Sequence, residues 1–186
     1  MRKKASVLEH FCYDEEMKIL LTGEPHSGKS TLINKVLRQF DYKIGFVTDE
    51  VLKDGRRIGF ALESSSGRTA IMAHIDYMSD IRVSKYGVKP LILDEFIHTL
   101  PQIDQQSLLY IDEIGQMQLY SYTFRALVDE YMGAPNDFIG TLSKVYEHEL
   151  IQKLKQDPDI EIIEVTPSNR DSLEDTILSR LATSGH

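Results

Sequence analysis

The stretch LLTGEPHSGKSTL, residues 20–32, holds two glycines, a lysine and a serine at a spacing that few folds accommodate. Gly23, Gly28, Lys29 and Ser30 fit the pattern G-x-x-x-x-G-K-[ST]. Such a loop works only between a buried strand and the start of a helix, where backbone N–H groups and the helix N-terminus surround a phosphate. Both flanks are present. MKILLTG (17–23) is an apolar run ending in glycine, the pattern of a strand buried on both faces. KSTLINKVLRQF (29–40) has apolar residues at 32, 33, 36, 37 and 40, a helical period.

The loop Gly23, Glu24, Pro25, His26, Ser27, Gly28, Lys29, Ser30, Thr31 is therefore the expected nucleotide-binding segment. The two glycines allow close backbone approach, Lys29 reaches the β- and γ-phosphates, and the Ser30 hydroxyl binds Mg²⁺. Thr31 stands where it can meet the α-phosphate. His26 lies between the glycines, where backbone does the binding, so its side chain is expected to face solvent.

Further along, KIGFVTD (43–49), SLLYIDEIG (107–115), DFIGTLS (137–143) and IEIIEVT (160–166) read as strands. LILDEFIHTL (91–100), TFRALVDEYM (123–132), YEHELIQKLKQ (146–156) and RDSLEDTILSRLA (170–182) read as helices. Residues 56–75 differ: two apolar runs flank Ser64-Ser65-Ser66-Gly67, the signature of an antiparallel hairpin. Strands alternating with helices predict an α/β fold with a mainly parallel sheet covered on both faces, carrying the 56–75 hairpin as an insertion. At 186 residues the chain suits one such domain over 17–184, preceded by a polar extension, 1–16.

LLYIDEIG supplies a partner for the loop. A buried strand running into Asp112 and Glu113 places one carboxylate to hold Mg²⁺ and a second to polarise a water. Hydrolysis needs that glutamate; transfer to a bound acceptor does not. Thr48, Asp49 and Glu50 follow the second strand at the carboxyl edge of the sheet, where ligands bind in such folds; turn formation is the competing use. Arg56 and Arg57 are either solvated or supply charge near the γ-phosphate. Tyr86-Gly87-Val88 either shapes the pocket or makes a turn before a helix. Asn169 and Arg170, after the last strand, either meet the base or cap the final helix. Arg125 suits a surface ion pair, and His148 and Glu149 suit an exposed helix turn.

Composition narrows the partners. Net charge is −8, which gives no positive evidence for nucleic acid. The single cysteine, Cys12, permits neither a disulfide framework nor a cysteine zinc site. No apolar run approaches the roughly 20 residues of a membrane span, and the N-terminus is a poor secretory signal, so no membrane and a cytoplasmic location are expected. A monomer or weak oligomer fits the same profile.

Taken together, GEPHSGKSTL, GFVTDEV, RRIGF, KYGV, IDEIG, FRALV and TPSNRD resemble the THEP1 nucleoside-triphosphatases over residues 17–181, with motif order and spacing kept. The resemblance implies a RecA-like P-loop fold and slow, Mg²⁺-dependent hydrolysis of ATP, GTP and other nucleoside triphosphates. This chain departs from the family at His26, where glycine is usual, at Leu52, where the family has arginine, and at Gln116 and Gln118, where it has a basic residue and a glutamate. None of these touches Lys29, Ser30, Asp112 or Glu113. Two other functions fit a phosphate loop: a small kinase, which would phosphorylate an acceptor, and a nucleotide-dependent switch, which would bind without turnover.

Overall fold

The computed structural model describes residues 16–183; of the extension read over 1–16, only residue 16 lies among them. β1 (Lys18–Thr22) leads through the glycine loop into α1 (Lys29–Leu37). β2 (Lys43–Lys53), β3 (Arg56–Ser64), β4 (Thr69–His74), β5 (Arg82–Val83) and β6 (Tyr86–Val88) follow, then α2 (Pro90–Ile97). The chain continues through β7 (Leu108–Ile114), a 3-10 turn, α3 (Tyr122–Gly133), β8 (Phe138–Leu142), α4 (Glu149–Gln156), β9 (Ile160–Glu164) and α5 (Arg170–Thr183).

These strands form one nine-stranded sheet in the order β5-β6-β4-β3-β2-β7-β8-β1-β9. From β2 to β9 the pairings are parallel, and from β2 to β5 they are antiparallel. Strand β8 separates the loop strand β1 from the acidic strand β7. Side chains alternate across the parallel half. On β1, Ile19 and Leu21 pack with Leu32, Ile33, Val36, Ile177 and Leu181 of α1 and α5. Leu20 faces the other way, toward Leu127, Ile151 and Leu154 of α3 and α4. Burial on both faces explains why these strands read as unbroken apolar runs. The three-layer α/β fold is as expected.

Lys18 is the polar exception on β1. It is 4% exposed, and its Nζ donates to the carbonyls of Tyr131, Ala134 and Asn136 at 3.3, 2.7 and 2.5 Å. One ammonium thus satisfies carbonyls left free where α3 ends. Burial pulls its pKa below the usual lysine value, against the pull of Glu16 and Asp137.

The antiparallel half is larger than an insertion of one hairpin. β2 continues past residue 49 to Lys53 and turns through Asp54 and Gly55, both with positive φ (51° and 73°), so that Lys53 pairs with Arg56. An Asp-Gly pair in this backbone state is the two-residue hairpin turn whose twist suits the flanking strands. The expected 56–75 hairpin, β3 and β4, is therefore continuous with β2. Tyr86-Gly87-Val88 is a buried strand, β6, not a turn before α2. Residues 146–148 stay outside α4, and His148 caps that helix by accepting from Leu150 N through Nδ1 at 3.1 Å.

Candidate active site

The loop after β1 is shaped by its glycines. Gly23 has φ 146°, and a Cβ there would stand 2.3 Å from the Val165 carbonyl oxygen. Gly28, φ 108°, sits at the start of α1, where no side chain among the described residues caps the helix. The first N–H groups of α1 are consequently free to meet an anion. Lys29 Nζ donates to the Gly23 and Glu24 carbonyls, each at 3.0 Å, closing the loop on itself. His26 is exposed, with φ 65°, and stands where the loop borders the cleft. Lys144, after β8, ties the loop to β9 through Glu24 (2.9 Å) and Glu164 (2.8 Å). Nothing in the sequence pattern signalled that clamp.

Across from the loop, β7 delivers Asp112, 3% exposed, and Glu113, half-buried. Asp112 Oδ1 accepts a short hydrogen bond from the Thr141 hydroxyl of β8. Its Oδ2 is buried without a hydrogen-bond partner among the described residues, while the Ser30 hydroxyl lies close enough to favour the charged carboxyl. Burial pushes the Asp112 carboxyl above the usual range. Thr141, the nearby Ser30 hydroxyl and Lys29 oppose that shift, and Asp49 adds to it. Glu113 is also raised, by burial first and then by Asp112, with Lys29 opposing. Gly115 leaves room for Glu113: a Cβ there would come within 3.2 Å of its Cδ.

The donor set fits Mg²⁺. A buried carboxylate oxygen that lacks a hydrogen-bond partner among the described residues, beside a serine hydroxyl, offers two hard oxygen ligands, and Mg²⁺ takes the rest from phosphates and water. No group of three or more His, Cys, Asp or Glu suited to a metal occurs among the described residues. The phosphate-bound ion, which needs few protein ligands, is the kind this site suits.

Thr141 escaped sequence reasoning, although a threonine in the otherwise apolar FIGTL was its signal. Gln118 counted only as a lost charge. It is in fact 4% exposed and donates from Nε2 to Thr48 Oγ1 at 3.1 Å, tying the 3-10 turn after β7 (Gln118–Tyr120) to β2.

Loop and carboxylates share one cleft of about 930 Å³. Gly23, Pro25, His26, Lys29, Ser30, Thr48, Glu50, Arg57, Asp112 and Glu113 all line it. Arg57 is ion-paired with Glu50 and donates from Nε to Tyr86 Oη at 3.0 Å. Arg56, Thr31, Asn169 and Arg170 lie outside the lining. Asn169 spends its amide on the loop before α5, accepting from Thr166 N at 2.8 Å and donating to the Glu164 carbonyl at 2.9 Å. Arg170 is exposed and lies over Gly28, its Cδ 3.0 Å from where a Cβ would be. Arg125 stands elsewhere, 4.0 Å over the Tyr122 ring and bonded to the Leu119 carbonyl.

A family of NTPases matches residues 18–178. The nucleoside-triphosphatase THEP1 of Thermotoga sp. (strain RQ2) is 40% identical over 89% of this chain and 95% of its own length. That of Aquifex aeolicus is 34% identical over 89% of this chain and 99% of its own. Among solved structures, the crystal structure of THEP1 from Aquifex aeolicus aligns with a TM-score of 0.77 at 36% identity, covering 89% of this chain and 99% of that one. The solution structure of a human cancer-related nucleoside triphosphatase aligns at 0.77 with 27% identity, over 91% and 100%. With the phosphate loop, the carboxylate pair and the order of the parallel strands all in place, the chain belongs to the THEP1 nucleoside-triphosphatase family.

Proposed function

We propose that the protein is a Mg²⁺-dependent nucleoside-triphosphatase that converts ATP, GTP and other nucleoside triphosphates to the diphosphate and phosphate. The observation that supports the metal and the residue roles is the buried Oδ2 of Asp112, without a hydrogen-bond partner among the described residues and set beside Ser30 on the cleft that the phosphate loop opens into. Asp112 and Ser30 would hold the ion. Once bound, Mg²⁺ supplies positive charge that offsets the charge on the phosphates.

The chain's own groups do the rest. Lys29 exchanges its two carbonyl partners for phosphate oxygens, and the free N–H groups of α1 orient the same phosphates. Thr141 holds Asp112 in place and favours its charged form against the effect of burial. Glu113, with its pKa raised by burial, accepts the proton of the attacking water. Arg170, beside Gly28, is better placed than Asn169 to meet the nucleoside, because the Asn169 amide is already engaged. This reading takes the protein as cytoplasmic and as a monomer or weak oligomer; no helix among the described residues is long and apolar enough to cross a membrane.

The test is phosphate release from ATP, GTP, CTP and UTP, with Mg²⁺ or EDTA, for wild type and Glu113→Gln. Release that requires the metal, and that falls about 10²–10⁴-fold in Glu113→Gln while nucleotide still binds, is the expected result. Wild type that binds Mg²⁺-nucleotide and releases nothing would sink it.

A further inference from the structure

The cleft is larger than hydrolysis requires. An attacking water needs about 30 Å³, and the glycine loop that would take the phosphates lines one end of the cleft. Yet the cleft measures about 930 Å³ and runs on past Glu113 to the antiparallel half of the sheet. Since Glu113 marks the side from which the nucleophile approaches, this remaining space lies beyond the γ-phosphate. It is not on the side of Arg170 and the nucleoside.

The far walls have a definite chemistry. The Arg57 guanidinium lies 5.2 Å over the Phe60 ring and 5.9 Å over Tyr86, and the two rings meet edge to face at 5.1 Å. Glu50 holds one edge of the guanidinium and Tyr86 Oη takes Nε. Nη2 makes no hydrogen bond among the described residues, and the Arg57 side chain is 39% exposed. Lys85 adds a second cation, its Nζ 5.4 Å from the Tyr86 ring. Leu52 of β2, which also lines the cleft, leaves its apolar side chain 61% exposed. An arginine fixed in plane, a second cation and uncovered apolar walls select a flat ring that carries an anionic group. At net charge −8 the chain repels a long polyanion, but a single small anion on Arg57 pays little of that cost.

We infer that the outer half of the cleft is a second ligand site that takes a nucleoside monophosphate beside the γ-phosphate of the bound triphosphate. The ring lies against Phe60 and the apolar walls, and the phosphate group meets Arg57 and Lys85. The inference rests on the proposed function, because Asp112 and Glu113 define which end of the cleft is which.

Calorimetric titration of AMP, GMP, CMP and UMP onto the full chain, first saturated with Mg²⁺ and the non-hydrolysable analogue AMP-PNP, tests it. At least one monophosphate should bind the loaded protein saturably, at one equivalent. Arg57→Gln and, independently, Phe60→Leu should each weaken that binding about tenfold or more, the loss of one charge-assisted contact or one stacking surface. Four monophosphates without saturable binding, binding only by displacement of AMP-PNP, or affinity unmoved by both variants would each overturn the second site. Failure of AMP-PNP itself to bind would overturn the proposed function and, with it, this inference.

Discussion

Strands β1 and β3 belong to the same sheet but live in different surroundings. β1, KILLT, is buried from Lys18 to Leu21, with helices on both faces. β3, RRIGFALES, alternates between partly exposed and buried positions, and its outer end opens onto the cleft through Arg57 and Phe60. The first half of the sheet is a scaffold whose side chains are fixed by packing. The second is a wall whose side chains face the open cleft. Groups that must be placed closely, Lys29 and Asp112, follow from β1 and lie on β7 of the scaffold. Variants should therefore cost far more stability in the parallel half than in the antiparallel half.

The harshest test is Gly23→Ala. Its φ of 146° suits only glycine, and the new Cβ would meet the Val165 carbonyl oxygen at 2.3 Å. Backbone strain and overpacking add here, so the loss in urea unfolding should exceed about 3 kcal/mol, and nucleotide binding should vanish. A variant with wild-type stability would show that the loop tolerates a different path.

Next comes Lys18→Met, which strands the carbonyls of Tyr131, Ala134 and Asn136 and should cost about 2 kcal/mol near neutral pH. The difference from wild type should also depend on pH. The folded pKa of Lys18 lies below 10.5, so between that lowered value and 10.5 the unfolded chain binds the extra proton. Wild type then gains stability relative to the variant as pH rises through that window. A difference that shrinks with rising alkalinity would mean the ammonium is held by its carbonyls more strongly than burial opposes it.

The two halves also differ in how far they could be read from sequence. In the scaffold, unbroken apolar runs and the helical period of 29–40 leave one solution, so β1, α1, β7 and the pairing of Lys29 with Asp112 and Glu113 were legible. In the wall, alternation is imperfect and exposure decides the outcome. The Asp54-Gly55 turn carries its signal, but the apolar pattern of KIGFVTD ends at Asp49, whereas β2 runs on to Lys53. β5 and β6 are two and three residues long, too short for periodicity to show. Contacts between distant segments were hidden everywhere. Thr141 reaching Asp112 and Lys144 bridging Glu24 and Glu164 depend on strand order, which local pattern does not encode.

Thr141→Val probes one of those contacts at nearly constant volume. Asp112 loses the donor on Oδ1 and keeps the nearby Ser30 hydroxyl and Lys29 to favour its charged form against burial. Stability should fall by about 1–2 kcal/mol, and kcat or Mg²⁺ affinity by roughly tenfold or more. Steady-state rates across a Mg²⁺ titration read both. Unchanged values would place the metal ligand elsewhere.

The smallest effect should come from Gly55→Ala, and it isolates what separates the halves. Gly55 also has a positive φ, 73°, so alanine meets backbone strain there as it does at Gly23. Among the described residues nothing beyond its chain neighbours lies within 4 Å of the added Cβ, however, whereas at Gly23 the Val165 carbonyl, just past β9, is in the way. Strain alone, about 1 kcal/mol, is then the whole cost, because the wall has nothing packed behind that turn. Thermal unfolding of the two alanine variants side by side makes the measurement. A Gly55→Ala loss matching that of Gly23→Ala would show that the hairpin tip is pressed against the body of the protein, and the outer cleft would be closed where it is described as open.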